Sequence, residues 1–123
     1  MAEFKKVTIK KWFSKKDIIR LQLNTHCFIH KVTVSDADLD CLALLAISGV
    51  QELSAFCQQV SDQKIFRTAQ TVRNALSKAE KKNLLLKTGK SKKKIGIHPG
   101  LNIQTSGNIL LDYTFLFGKK DAA

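Results

Sequence analysis

Polar side chains between positions 67 and 78 have the types and spacing that could bind a partner. They combine guanidinium, amide, hydroxyl and ammonium groups, and they are Arg67, Gln70, Thr71, Arg73, Asn74, Ser77 and Lys78. A group of lysines follows in a short segment: Lys90, Lys92, Lys93 and Lys94. Cationic groups hold anions, and amides and hydroxyls both donate and accept hydrogen bonds. These residues therefore predict contact with a polar, negatively charged partner.

The same residues also have a simpler interpretation. A polar helix face is usually just solvated, and a lysine-rich loop can serve solubility alone. The N-terminal segment holds a second cationic cluster, Lys5, Lys6, Lys10, Lys11, Lys15 and Lys16. Because like charges repel, two such clusters in one chain favour electrostatic binding. For the helix face itself, partner contact and simple solvation both stay open.

Patterns typical of enzymes and metal sites are missing from the sequence. We find no Ser/His/Asp arrangement and no paired carboxylates, and Thr88-Gly89-Lys90-Ser91 lacks the upstream glycine of a phosphate-binding loop. His26, Cys27 and His30 could suggest zinc, but no second ligand pair follows at the usual spacing. We therefore expect no enzyme, no catalytic residue, no metal site and no cofactor.

The net charge of +11 is distributed unevenly along the chain. Residues 1–31 carry +6 and residues 67–123 carry +9, whereas residues 32–66 carry −4. Such a balance favours an anionic partner, namely nucleic acid, an anionic surface or an acidic protein. The basic ends should meet that partner, and the acidic middle should face away or meet another basic surface.

Length, hydropathy and cysteine usage bound the class of protein. A chain of 123 residues predicts one domain, 1–123. No apolar run is long enough to span a bilayer or to form a signal peptide, so we expect no membrane association. Cys27, Cys41 and Cys57 make an odd count, which favours a reducing environment in the cytoplasm or nucleoid, or alternatively a virion.

The basic N-terminal arm, residues 1–31, has two possible structures. Residues 6–13 and 19–23 alternate between apolar and polar types, which favours a β-hairpin. The alternative is a helix from about Ser14 to Leu23, capped by Ser14 with Asp17 at its third position.

Helical spacing and end signals predict three helices in the next segment. Ser35 caps the first, which Ser48-Gly49 ends, and the second covers about 51–60. Thr68 caps the third, at about 69–82. Their apolar faces predict one core of Leu39, Leu42, Leu53, Phe56, Val72, Leu76 and Ala79, with Cys41 and Cys57 as buried free thiols.

Extended chain is predicted after the third helix. A short apolar strand at 84–87 and an alternating strand at 95–98 flank a basic loop at 88–94, and Pro99-Gly100 ends the second strand. Residues 109–117 alternate again and predict a final strand in the C-terminal part, 100–123.

The order of these elements resembles the winged helix-turn-helix family over about 32–99. The resemblance is carried by Ser35-Asp36-Ala37-Asp38-Leu39, by Gln51-Glu52-Leu53, by residues 68–78 and by Asn83-Leu84-Leu85-Leu86-Lys87 before the lysine loop. The chain departs from the family in the long link 61–67 and in the extra material at both ends. Residues 95–99 are faintly similar to replication-initiator modules of plasmids and phages, which would suit a phage or mobile element. The fold implied is α+β: three helices and a β-wing, with an N-terminal hairpin-like extension and a C-terminal strand.

The resemblance also implies a mechanism. Helix 69–82 would be a recognition helix in the major groove of DNA, and 88–94 would be the wing. Arg73 would contact guanine, and Asn74 or Gln70 would contact adenine. Phosphates would be held by Thr71, Ser77, Lys78, Lys90, Lys92, Lys93 and Lys94. Arg67, just before the helix, would also contact the nucleic acid.

Two function classes are compatible with the sequence. The first is a DNA-binding protein that acts in transcription or replication. The second is a structural or assembly subunit of a phage virion, such as a connector or head-associated protein, which uses the same fold to pack against other protein subunits. Pairing between copies favours the second class, because the acidic middle of one copy could meet the basic ends of another in a homo-oligomer.

Overall fold

The computed structural model describes residues 3–116. In that range the chain is α+β, with four α-helices and one small antiparallel sheet, as the mixed pattern of the sequence predicted. The helices are α1 (Lys15–Ile29), α2 (Asp36–Ser48), α3 (Leu53–Asp62) and α4 (Ala69–Lys81). The strands are β1 (Gln51–Glu52), β2 (Leu85–Thr88) and β3 (Lys94–Ile97), and 3-10 turns cover Lys90–Lys92 and Pro99–Leu101.

α1 stands where the N-terminal hairpin was expected, so the hairpin prediction is wrong. The helical alternative is correct in type and start, but the helix continues six residues beyond Leu23, to Ile29. Ser14 is the N-cap, and its Oγ accepts a hydrogen bond from the backbone N–H of Asp17 at 3.1 Å. That bond satisfies one of the amides that a first helical turn leaves without a partner. Residues 3–13 form no strand, and their side chains are exposed.

The buried face of α1 explains why the alternating pattern was misleading. Ile19, Leu23 and Cys27 are spaced four apart and are buried against the other helices. Leu21, which a strand would have placed beside Ile19 and Leu23, lies on the outer side with 43% of its surface exposed. Ile19 and Leu23 fit both periods, and packing on α2 decides in favour of the helix.

The ends of α2 and α4 follow the capping signals of the sequence. Ser35 and Asp38 form a reciprocal capping box, in which each side chain accepts from the other's backbone N–H at 3.1 Å. Thr68 caps α4, because its Oγ1 accepts from the N–H of Thr71 at 3.1 Å. Asn83 follows the last turn with a φ of 60°, a left-handed conformation that asparagine tolerates.

The sheet has the strand order β1-β3-β2, with both pairings antiparallel. β2 and β3 form a hairpin, and the two residues of β1 add to the other edge of β3. α3 therefore begins at Leu53, two residues after the predicted start, because Gln51 and Glu52 are used as strand. The paired residues are Gln51 with Ile95, Glu52 with Lys94, Leu85 with Ile97, Leu86 with Gly96, Lys87 with Ile95 and Thr88 with Lys94.

One hydrophobic core joins the helices to the sheet. The predicted core residues Leu39, Leu42, Phe56, Val72, Leu76 and Ala79 are buried in it, and Leu53 packs against it half-buried. Cys41 and Cys57 are buried free thiols, as predicted, and so is Cys27. The core also takes Ile19 and Leu23 from α1 and Leu84, Leu85 and Ile95 from the hairpin. α1 is thus part of the same packed unit as α2–α4.

The segment after the sheet runs along α1 without forming a strand. The Gln22 side chain holds it by two hydrogen bonds of 2.8 Å, donating to the backbone carbonyl of Gln104 and accepting from its N–H. The predicted strand at 109–117 is wrong for residues 109–116, and Phe117 lies outside the described residues. No strand of the described sheet pairs with these residues.

Candidate nucleic-acid interface

α4 presents a polar face on the side opposite its core contacts. Val72, Leu76 and Ala79 are buried. Residues seven and four apart on the other side, Gln70, Asn74, Ser77 and Lys81, are exposed or half-buried. We call these four the outer face of α4.

Gln70 and Asn74 are joined on this outer face. The Gln70 amide nitrogen donates to the Asn74 side-chain oxygen at 3.1 Å. The bond orients both amides, and it leaves the amino group of Asn74 and the carbonyl of Gln70 for other partners. Both residues are exposed, so a ligand can reach them.

Arg73 lies on the flank of α4 that faces α3. Its Nη2 donates to the Ser54 Oγ at 3.0 Å, and its side chain is half-buried. Burial raises the pKa of the nearby Cys57 thiol, and the positive charge of Arg73 lowers it in part. Arg73 is therefore bonded to α3 at the protein surface, away from the outer face.

Of the other residues predicted on or near α4, one takes part in the N-terminal cap and the others are exposed or half-buried. Thr71 takes part in the N-terminal cap, because its Oγ1 lies 2.9 Å from the Thr68 Oγ1. Lys78 is exposed and borders a crevice toward α2 that Asp38 and Cys41 also line. Arg67 is exposed in the link before the helix. Ser77 belongs to the outer face, so the structure brings Gln70, Asn74 and Ser77 together there and places the other four predicted residues elsewhere.

The loop between β2 and β3 carries the predicted lysine group. Lys90, Lys93 and Lys94 are exposed, and Lys92 lies in the 3-10 turn of the same loop. Gly89 has a φ of 83°, a conformation that residues with a side chain rarely adopt, and Ser91 also has a positive φ, 59°. These two positions fold the loop tightly, which gathers the cations at the tip of the hairpin.

An ion pair ties the hairpin to α4. The Lys87 Nζ lies 3.7 Å from the Glu80 carboxylate, between β2 and the last turns of the helix. Leu84 and Leu85, at the start of the hairpin, are buried with Leu76 and Ala79 in the core. The cationic loop is therefore carried on a hairpin packed directly on α4.

Lys81 is a functional candidate that the sequence interpretation missed. It is exposed and lies four residues after Ser77 and seven after Asn74, on the outer face. The signal was available in that spacing. Lys82, the next residue, is excluded from this face because its Nζ donates to the backbone carbonyl of Thr33 at 2.6 Å.

A second polar cleft brings all three histidines of the chain together. His26, His30 and His98 line a cavity of about 360 Å³ with Lys82, and the rings of His26 and His30 have centroids 4.3 Å apart. Burial lowers the pKa of His26, and the charges of His30 and His98 lower it further. Within residues 3–116, no group of three His, Cys, Asp or Glu side chains is placed to hold a metal ion.

Burial also raises the pKa values of the cysteine thiols. It raises the pKa of Cys41 to about 12, with smaller contributions from Asp38 and Cys57. It raises the pKa of Cys27 as well, which the charge of Lys82 lowers in part. At neutral pH these side chains are therefore protonated thiols that pack like small apolar groups.

No helix in the described part of the chain is long and apolar enough to cross a membrane. Comparison of the whole sequence with protein-family models and curated proteins, and of the fold with solved structures, gives no significant match.

Proposed function

We propose that this protein binds DNA as a winged helix-turn-helix domain. The order of elements supports the proposal: α2, β1, α3, α4 and then the β2–β3 hairpin, with β1 added at the edge of β3. In a domain of this kind, the third helix of the core enters the major groove and the hairpin is the wing. Here those elements would be α4 and the loop at 88–94.

One observation carries the proposal furthest. The exposed amides of α4 and the exposed lysines of the hairpin loop lie on adjoining elements, which the Lys87–Glu80 ion pair joins. Lysines at the loop tip would hold phosphates and set the register, and this contact carries no sequence information. Gln70 and Asn74 would meet base edges, where an amide can pair with adenine through its donor and acceptor together.

The experiment measures DNA affinity at several salt concentrations for the wild type and two charge variants. The wing variant replaces Lys90, Lys93 and Lys94 by alanine. The matched control replaces Lys5, Lys6 and Lys15, which removes the same charge from the N-terminal segment and the first residue of α1. Each phosphate that a lysine neutralises releases counterions, so affinity falls steeply with salt.

We expect the wing variant to bind all sequences more weakly and to flatten the slope of log K against log salt by up to about three units. The control should keep most of the wild-type slope. Equal losses in both variants would assign binding to total charge and would remove the wing from the proposal. A wild type without salt-dependent binding at low ionic strength would end the DNA-binding proposal.

A second candidate is a subunit of a large assembly, with a phage virion as the main case. The observation that favours it is apolar exposure in both terminal segments, where Phe4, Trp12, Phe115 and Leu116 are at least 76% exposed. Large exposed apolar surfaces mark sites of protein contact. For this candidate, the wing variant would abolish particle recovery while DNA affinity stayed weak and independent of sequence.

A further inference from the structure

The segment 3–13, which we call the arm, carries large apolar side chains that contact little of their own chain. Phe4, Val7, Ile9 and Trp12 are between 73% and 101% exposed. Lysines are interspersed among them at positions 5, 6, 10 and 11. Exposing this much apolar surface in water is unfavourable, at about 25 cal/mol per Å². The composition of the arm therefore suits a groove that is apolar at its base and acidic at its edges.

Such a groove lies between α1 and the beginning of α2. Its volume is about 400 Å³, and its apolar floor is formed by Leu21, Val34 and Leu39. Two carboxylates, Asp17 and Asp36, also line it, together with the Arg20 guanidinium, the Asn24 amide and Phe13. We call this feature the α1–α2 groove.

The charges around the groove are acidic on balance. Asp40 forms ion pairs with two cations, Lys16 at 3.3 Å and the Arg20 guanidinium at 3.2 Å. Asp36 shares Arg20 at 3.4 Å and remains 95% exposed. Asp17 is exposed and forms no ion pair with any residue in the range 3–116. Carboxylate charge is therefore left over for an incoming lysine.

We propose that the arm of a second copy of this chain occupies the α1–α2 groove. The apolar side chains of the arm would cover Leu21, Val34 and Leu39, and its lysines would face Asp17 and Asp36. Ten extended residues span about 33–36 Å, which is enough to reach a neighbouring molecule of this size.

Geometry disfavours the same arm filling its own groove. Phe13, where the arm ends next to α1, already borders the groove, so the chain would have to reverse sharply at residues 10–16. That stretch contains no Gly, Pro, Asn or other usual turn former before Ser14. An arm that starts beside its groove can instead be exchanged reciprocally between two copies, which gives a closed two-fold dimer.

The exchange is independent of the proposed DNA binding, because it uses neither α4 nor the hairpin loop. Trp12 is the single tryptophan of the chain and is fully exposed in the isolated molecule, so it reports arm docking directly. Sedimentation velocity and tryptophan emission are measured together over a dilution series of the full chain without DNA. We expect a dimer with blue-shifted emission at high concentration, and a monomer with red-shifted emission after dilution.

Charge reversal provides the decisive variants. One variant carries Lys10→Glu and Lys11→Glu in the arm, and the other carries Asp17→Lys and Asp36→Lys in the groove. Each should be monomeric alone, because its arm and its groove then have the same sign of charge. Mixed together they should restore a dimer containing one copy of each, since both grooves then face an arm of opposite charge.

Asp62→Lys, at the end of α3, is the matched control and should leave the dimer intact. Because Asp17 and Asp36 lie in first helical turns, circular dichroism and the milder pair Asp17→Asn and Asp36→Asn check that loss of the dimer does not come from unfolding. These asparagine variants should weaken the dimer at least several-fold while keeping the helical signal.

Three results would overturn the exchange. The first is a wild type that stays monomeric at every concentration. The second is blue-shifted Trp12 emission that does not change on dilution, which would mean that the arm docks on its own chain. The third is a dimer that neither the groove variants nor the arm variants weaken.

Discussion

Gln22 is a buried polar residue whose side chain bonds the backbone of a distant segment. It is 6% exposed, and its amide satisfies both the N–H and the carbonyl of Gln104. Buried polar groups are stable only when they are hydrogen-bonded. These two bonds tie the segment after Leu101 to α1 at Gln104.

We expect Gln22→Leu to lower the free energy of unfolding by about 1–3 kcal/mol, because the Gln104 backbone loses both partners. Urea denaturation measures this change, and proteolysis should cut between 102 and 116 sooner. Gln104→Ala is the matched control, since its backbone bonds remain and only contacts with Asn102 are lost. A leucine variant as stable as the control would mean that Gln22 does not hold the segment.

At the scale of elements, the proposed DNA binding leads to different roles for two residues of α4. Arg73 is bonded to Ser54 on α3, whereas Asn74 is exposed and oriented by Gln70. A guanidinium already held by the protein would have to lose that bond before it could contact guanine. The amino group of Asn74 makes no hydrogen bond to Gln70, so it could contact a base without breaking one.

Asn74→Ala should therefore cost about 1–3 kcal/mol of binding to a preferred duplex and little with other sequences. Arg73→Ala should reduce discrimination less. Fluorescence anisotropy measures the affinity of both variants for a selected duplex and for a scrambled duplex. Ser54→Ala frees Arg73 without removing it, so stronger discrimination in that variant would return the main role to Arg73.

The elements also show what the sequence could and could not reveal. Ser35, Thr68 and the apolar spacing of α2 and α4 were sufficient to locate those helices, because capping and periodicity are local. β1 was missed because two residues have no periodicity, and only pairing with Ile95 and Lys94 makes them a strand. The hairpin predicted for 6–23 was wrong because the spacing of Ile19 and Leu23 fits both the two-residue repeat of a strand and the helical repeat.

The candidate site was predictable to a similar extent. The identity of the residues on α4 and the lysine loop came from the sequence, but the engagement of Arg73 by Ser54 depends on how α3 packs against α4. Lys81 was readable from its spacing. Contacts between residues far apart in the chain, such as Lys82 with Thr33, were not.

At the scale of the whole molecule, the histidine cleft links the end of α1, the end of α4 and the segment after β3. His26 from α1 lines the cleft with His30 just after that helix, His98 after β3 and Lys82 after α4. Burial opposes a proton on His26, and the charges of His30 and His98 add to that effect. Protonation of His26 is therefore disfavoured in the folded protein, and its pKa is below the usual 6.5.

Stability should consequently fall as the pH drops below 6.5. Above that value His26 is neutral in both states, so its pKa shift contributes nothing; below it, the unfolded chain binds the proton first and is favoured. Urea midpoints measured through this range should show the fall. His26→Gln should remove part of it, and an unchanged slope in that variant would assign the acid sensitivity elsewhere.

The buried thiols bear on the reversibility of unfolding. In the folded chain Cys27, Cys41 and Cys57 are buried and protonated, so oxidants and alkylating reagents reach them slowly. Unfolding exposes all three at once with ordinary acidity, and the odd number leaves a thiol for crosslinks between chains. Without a reductant, chains that unfold and then crosslink cannot refold. The lifetime of the folded protein is then set by its unfolding rate.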